Sequence, residues 1–361
     1  MPLLVTGHCD RLIFGLSPAE RLRRQVAGMP GLRLVADASA VISEGTLQWL
    51  EQNPGIALVS TSGKRLAVAA VDGTPTRDLL DSAAKTVTAD TFHYFNRKLR
   101  RREALFGVSL DEVDGDALHR TLFNSVYKGV TDLVTKFVWP APAYWVTRLL
   151  AAARVTPNIV TAVGFLCMLL AAVLFARGQI ALALVPAWVM TFLDTVDGKL
   201  ARVTIRSSPI GNTLDHGMDI IHPPIWWLCL AYGVVLREGN TTMVQPAVVA
   251  MLGSYVAGRV VETVFKSQLG FNQFIWEPMD AWFRLIVARR NIILLIITVG
   301  LISGLLLESF LLAAAWSVSS ALIQLVRLAQ AWSRRPVRSF LSGDDDLTLA
   351  VSRAPKSPSQ S

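Results

Sequence analysis

Four aspartates are the residues of this sequence best placed to do chemistry. Asp194 and Asp197 are three apart and Asp215 and Asp219 four apart, so on helices each pair shares one face. Their surroundings are apolar, and carboxylates in or beside a membrane persist where they are paired, solvated or bound to cations. Facing one another, these side chains repel strongly without positive charge between them. Hard oxygen donors of this kind suit Mg2+ or Mn2+, with water and substrate phosphates completing the coordination. Gly198, Ala201 and Gly211 are small residues at the same junction, where they allow close helix approach or leave room for a flat nucleotide. The structural alternative is that the carboxylates pair across helices with Lys199, Arg202 and Arg206.

The elements that must position these groups are apolar and long. The chain is 361 residues with 52% hydrophobic content and a net charge of +8, and its mean hydropathy is +0.43. The apolar residues concentrate in the second half, so a soluble front precedes a membrane back. Six apolar segments follow one another, at about Ile159–Ala176, Ile180–Thr195, Ile220–Leu236, Val244–Thr263, Ile292–Glu308 and Phe310–Ala331. Each is near the roughly 20 residues that a bilayer requires. Basic residues from Arg148 and Arg154 through Lys199, Arg202, Lys266, Arg284 and Arg334 fall at one set of ends, which predicts that both termini are cytoplasmic. The same flanking pattern assigns the positive charge to membrane lipids rather than to nucleic acid. Cys9, Cys167 and Cys229 are scattered, and neither a disulfide nor a zinc site is expected. No cleavable signal pattern opens the sequence, which keeps the front in the cytoplasm.

The predicted fold is a small cytoplasmic α/β domain followed by an all-α polytopic membrane domain of six transmembrane helices. Residues 1–75 alternate between strand and helix, with strands at Leu3–Thr6 and near Leu32–Val35, helices at Pro18–Ala27 and Glu44–Gln52, and further strands around Ile56–Ser60 and Leu66–Val71. Residues 76–116 are polar and read as a linker. Residues 117–155 are amphipathic, with Trp139, Tyr144 and Trp145 beside Arg148 and Arg154, a mixture that suits the headgroup layer. The membrane domain spans 156–335, and the polar 336–361 tail is expected to be disordered.

The run Asp197-Gly198, two residues, Ala201-Arg202, eight residues, Gly211, three residues, Asp215, three residues, Asp219 resembles the signature of the CDP-alcohol phosphatidyltransferase family, with Asp194 as its additional upstream aspartate. The resemblance implies a bacterial inner-membrane enzyme of phospholipid biosynthesis, probing as a homodimer a CDP-linked donor and an alcohol or phospho-alcohol acceptor and releasing CMP. It implies two divalent ions held by Asp194, Asp197, Asp215 and Asp219, with Asp219 activating the acceptor hydroxyl. Gly198, Ala201, Arg202 and Gly211 then belong to the CDP site.

Guanidinium groups bind phosphate bidentately, so Arg259, Arg289 and Arg290 are candidates for the phosphate of an acceptor such as an inositol phosphate. Membrane anchoring, or an ion pair of Arg259 with Glu262, is the structural alternative for these residues. The front resembles the nucleotidyltransferase-like domain that some members of that family carry, on its element order and on Leu34-Val35-Ala36-Asp37. Its Gly7-His8-Cys9-Asp10-Arg11 loop departs from the Gly-rich phosphate loop such domains need, which predicts a catalytically inactive remnant. Two rival readings are a cation transporter using intramembrane carboxylates and a bifunctional enzyme whose front domain makes the CDP-activated substrate.

Overall fold

The computed structural model describes residues 2–71, 75–89, 93–96, 99–206, 209–239 and 242–342, without the side chains of 93–95 and 209–216. In the front domain β1 (Leu3–Thr6) runs parallel to β2 (Leu34–Asp37), which pairs antiparallel with β5 (Arg65–Ala69). That strand pairs antiparallel with β4 (Ile56–Val59), and β4 runs parallel to β6 (Lys85–Thr88) at the sheet edge. Side chains alternate across the sheet. Leu34, Ala36 and Leu58 pack against Leu22 and Leu47 of helices α1 (Pro18–Ala27) and α2 (Glu44–Gln52). Val35, Ala57 and Val68 meet Leu80 of α3 (Asp78–Ser82) on the other face. Cover on both faces explains why the strands read as continuous apolar runs. Each of the two longer helices starts on a serine whose hydroxyl accepts a backbone N–H, Ser17 from Glu20 and Ser43 from Thr46, both at 3.2 Å.

The segment 76–116, expected to be a linker, is folded instead. Besides the edge strand β6, it contains the hairpin of β7 (His93–Asn96) and β8 (Arg101–Ala104), and β9 (Gly107–Ser109), which pairs antiparallel with β3 (Ala40–Ile42). The boundary at residue 75 therefore lies too early. Lys85 and Thr86 are exposed, and a charged edge strand of this kind hides in a polar stretch while discouraging edge-to-edge pairing.

Next come α4 (Gly115–Ser125), a π-helical turn at Val134–Val138, and α5 (Pro140–Ala152). Their inward residues Leu118, Leu122, Phe123 and Tyr144 join Ile13 and Phe14 of the front and Val196, Leu200 and Val203 of the membrane region in one core. Phe137, Val138, Trp145 and Leu149 face outward, where amphipathic rings suit a headgroup layer.

The membrane region comprises α6 (Pro157–Ala176), α7 (Ile180–Val203), α8 (Pro209–Glu238), α9 (Val244–Leu269), α10 (Pro278–Ile286), α11 (Arg290–Ile302) and α12 (Leu306–Ser333). Among the described residues five helices are long and apolar enough to cross a membrane, and α10 with α11 make a sixth crossing if that pair, bent by 44°, counts as one. The fifth span was expected at Ile292–Glu308, but its helix stops at Ile302. Gly304 adopts φ +72° there, ending the helix with a left-handed residue. Phe175, Ala187, Trp226, Ile297 and Phe310 meet in the bundle core, while Leu166, Val185, Ile221, Val249 and Leu322 point outward. Outward apolar side chains on long helices define the lipid-facing surface. Gly233 lets α8 cross α6 closely, because a Cβ there would collide with the Phe175 carbonyl.

Of the expected tail, residues 343–361 lie outside the described residues. Its first residues pack on the bundle: the Ser339 hydroxyl donates to the Ile275 carbonyl at 2.5 Å, and the Phe340 N–H to Trp276 at 3.1 Å.

Candidate active site

The last turns of α7 carry Asp194, Asp197, Gly198, Ala201 and Arg202, and the N-terminal half of α8 carries Gly211, Asp215 and Asp219. The side chains of Gly211, Asp215 and His216 lie outside the described ones. Asp194 and Asp219 converge on one cation. The Arg290 guanidinium, at the first position of α11, donates through Nη2 to Asp194 Oδ2 at 2.6 Å and through Nη1 to Asp219 Oδ1 at 3.2 Å. The same Nη1 lies 3.5 Å from His222 Nε2. His222 Nδ1 is 2.6 Å from the Met218 carbonyl, an acceptor that fixes the proton on Nδ1 and leaves Nε2 to accept.

Asp197 takes a different direction. It is buried at 6% exposure, and its Oδ2 accepts the Thr161 hydroxyl of α6 at 2.7 Å. Lys199 is turned away from the carboxylates, its Nζ 3.0 Å from the centre of the Tyr127 ring and 3.3 Å from the Val126 carbonyl. The structure thus pairs Asp194 and Asp219 with an arginine far along the chain. Gly198 leaves space that Arg202 occupies, since a Cβ there would stand 3.3 Å from the guanidinium. Arg202 lines the cavity described next, and Ala201 is half-buried beside it on α7.

The cavity holds about 370 Å³ between α7, α8, α9, the α10–α11 bend and α12. Asp194, Asp219, Arg259, Arg289 and Arg290 all line it. Arg289 is ion-paired to Glu262, and Arg259 lies 3.6 Å from the same carboxylate. The Tyr255 hydroxyl donates to the Ile220 carbonyl at 2.8 Å and braces α8 just after Asp219.

Sequence reasoning missed several cavity residues. Asp132, 7% exposed, accepts from Asn291 Nδ2 at 2.9 Å and from the Thr135 N–H at 3.0 Å. Burial pushes its carboxyl upward, but the Arg284 charge and these hydrogen bonds more than offset that and hold it below the ordinary range. A carboxylate inside the apolar stripe from Val130 to Val134 carries the same signal as the four aspartates. Arg100, Lys128 and Gln324 also line the cavity, and nothing local in the sequence marks them; Arg284, which the sequence shows beside Arg289 and Arg290 among the boundary charges, lines it too.

The donor chemistry fits a hard dication, because Asp194 and Asp219 present carboxylate oxygens to one shared positive group. Among the described residues no three metal-ligating side chains gather at one point, and the Asp215 side chain is not among those described.

Long apolar helices around a carboxylate- and arginine-lined cavity define a polytopic membrane protein with a buried polar site. The CDP-alcohol phosphatidyltransferase family matches residues 154–332, so the chain carries a domain of that family. Archaetidylinositol phosphate synthase of Pyrococcus horikoshii is 33% identical over 115 residues, which are 32% of this chain and 58% of that protein. The match thus spans little more than half of that curated relative's length.

Proposed function

We propose that this chain is a transferase of phospholipid biosynthesis. It moves the phosphatidyl-type group of a CDP-linked donor onto an alcohol that carries its own phosphate, releasing CMP. The observation that carries this reading is the charge of the cavity: eight Lys and Arg against four Asp and Glu among its described lining residues. Surplus positive charge in an enclosed site attracts anions, and guanidinium groups match phosphate geometry. The donor pyrophosphate accounts for part of that demand, and a phosphate on the acceptor near Arg259, Arg289 and Arg290 accounts for more. The name of the archaeal relative, archaetidylinositol phosphate synthase, supports an inositol phosphate-like acceptor. The family domain supports a transferase over a cation transporter.

In this reading the Asp219 carboxylate takes the proton of the acceptor hydroxyl. The oxygen attacks the donor phosphorus, a new P–O bond forms, and the P–O bond to CMP breaks with its electron pair leaving on CMP. Two Mg2+ or Mn2+ ions held by Asp194, Asp197, Asp215 and Asp219 would supply neutralisation of the pyrophosphate. Gly198, Ala201, Arg202 and Gly211 form the cytidine end. The reading puts this site, and both termini, at the cytoplasmic face of a bacterial inner membrane, which the basic residues at the helix ends support, and it takes the assembly as a homodimer.

The test is detergent-purified protein with CDP-diacylglycerol and a panel of alcohols and their monophosphates, an inositol phosphate among them. CMP release is expected with a phosphorylated acceptor and only with Mg2+ or Mn2+. Folded protein that releases CMP with no acceptor overturns the reading.

A further inference from the structure

The cavity is not built by the membrane helices alone. Arg100 lines it too, and Arg100 belongs to the front domain, between β7 and β8. The hairpin is fastened beside the cavity by several independent bonds. The Gly129 N–H donates to the Leu99 carbonyl at 2.8 Å, and Arg101 Nη1 and Nη2 donate to the Asn124 and Ser125 carbonyls at 2.8 and 2.9 Å, closing the end of α4. Gly129 has no room for a side chain, since a Cβ would lie 2.6 Å from the Arg100 carbonyl. Arg100 itself is held at φ +52°, a left-handed conformation that a branched-free but bulky L-residue adopts only where its surroundings impose it.

A second group points to a ligand. Arg284 of α10 is 9% exposed, and its Nε and Nη1 have no hydrogen-bond partner among the described residues. It lines the same cavity as Arg100. The nearby acids spend their hydrogen bonds elsewhere, Asp132 on Asn291 and Thr135, and Glu262 on Arg289, so Asp132 offsets the Arg284 charge only through space. A buried guanidinium with unused donors is costly unless an anion completes it. Burial and the neighbouring Arg289 charge hold Arg100 below the ordinary guanidinium value, opposed by Glu262, so Arg100 stands in the same electrostatic field.

We infer that Arg100 and Arg284 together bind the phosphate of the acceptor, so that the front domain contributes directly to the substrate site. The inference rests on the transferase reading above and names a binding residue of that site. The front domain then acts as the cytoplasmic wall of the acceptor pocket, whatever its ancestry.

The informative variant is Arg100→Gly. Glycine adopts positive φ without strain, so the hairpin keeps its dock while the guanidinium is lost. With full-length enzyme and CDP-diacylglycerol, KM for an inositol phosphate is expected to rise at least tenfold in Arg100→Gly, with KM for the donor and kcat nearly unchanged. Arg100→Lys is expected to recover part of the loss. In parallel, inorganic phosphate alone is expected to raise the melting temperature of the wild type and to raise it less in Arg100→Gly and in Arg284→Gln, while CDP stabilises all three equally. An unchanged acceptor KM in Arg100→Gly, or phosphate stabilisation equal in all three proteins or absent from the wild type, overturns the inference. If no acceptor supports CMP release, the transferase reading fails, and the phosphate-dependent melting shift still decides whether Arg100 and Arg284 bind an anion.

Discussion

Arg290 donates to Asp194 at 2.6 Å, and its other terminal nitrogen reaches Asp219 at 3.2 Å. One guanidinium therefore neutralises carboxylates from two helices, in the position where the proposed reaction needs a cation. Replacing it should expose the repulsion it relieves. Arg290→Gln is expected to destabilise the protein by roughly 2–4 kcal/mol, toward the lower part of the range for breaking a buried pair because Asp219 stays 45% exposed. Mg2+ is expected to recover part of that loss and to raise the melting temperature of the variant more than that of the wild type. Equal Mg2+ responses would show that the two carboxylates do not share a metal with the guanidinium's place.

Asp219→Asn is expected to lower CMP release by about 100- to 10,000-fold, the contribution typical of a positioned general base. The amide keeps an oxygen for Arg290, so the melting temperature should move little. Normal turnover in this variant rules out Asp219 as the base.

Much of this arrangement was legible in the sequence because it rests on local rules. The helices at Pro18–Ala27 and Glu44–Gln52 and the strand at Leu3–Thr6 fall where capping serines and apolar periodicity place them. The aspartate spacing marks the junction of α7 and α8 for the same reason. What escaped depends on distance along the chain. The partner of Asp194 and Asp219 lies 96 and 71 residues away, and its charge reads equally well as a membrane anchor. The strands of 85–109 carry Lys85, Arg101, Arg102 and Glu103, so polarity masked them. The 44° bend between α10 and α11 comes from Val287, whose ψ of 141° leaves the helical region, and no proline or glycine marks it.

His119 couples the front domain to α4 in a pH-dependent way. Its Nδ1 is 2.7 Å from the Gly115 carbonyl, and its Nε2 accepts the Phe14 N–H at 3.2 Å, so the neutral ring is the bonded form. Burial is the main cause that holds its pKa below the ordinary 6.5. Below 6.5 the unfolded chain therefore binds more protons than the folded one. The stability from this contact is complete above that value and declines as pH falls from it toward the depressed folded value. Melting temperatures between pH 7.5 and 5.5 should show this decline, and it should be shallower in His119→Gln. Parallel curves for the two proteins remove His119 from the account.

Arg21 ties α1 to the helix that carries Asp194. Its Nη1 donates to the Val203 carbonyl at 2.6 Å, and Arg24 Nη1 donates to Thr204 at 2.9 Å. These are the unsatisfied last carbonyls of α7, closed in trans by the front domain. Burial lowers the Arg21 pKa to about 10, still charged at neutral pH. Arg21→Ala leaves a buried carbonyl without its donor and is expected to cost about 1–3 kcal/mol. Chemical denaturation in detergent measures it, and a change within a few tenths of a kcal/mol would show that water replaces the bond.

Lys64 bears on whether the front domain retains chemistry of its own. Its ammonium lies 3.2 Å from Asp37 Oδ1 and 2.9 Å from Asp111 Oδ2, and it donates to the Ser39 and Ser109 hydroxyls at 2.8 and 3.1 Å. Burial pulls the ammonium pKa down, but the two carboxylates outweigh that and hold it above the ordinary value. Asp37 ends β2, where a nucleotidyltransferase-like domain would hold its metal, and here a lysine supplies the positive charge. The Gly7–Arg11 stretch after β1 has one glycine, Gly7, whose φ of +83° turns the chain beside Asp37, and one glycine there cannot present the series of backbone amides that a triphosphate requires. Full-length protein with CTP, a sugar phosphate and Mg2+ is therefore expected to release no pyrophosphate above background. Because Lys64 is a third exposed, Lys64→Ala is expected to cost only about 1 kcal/mol and to leave that background unchanged. Pyrophosphate release by the wild type would make the front domain a working nucleotidyltransferase and the chain bifunctional.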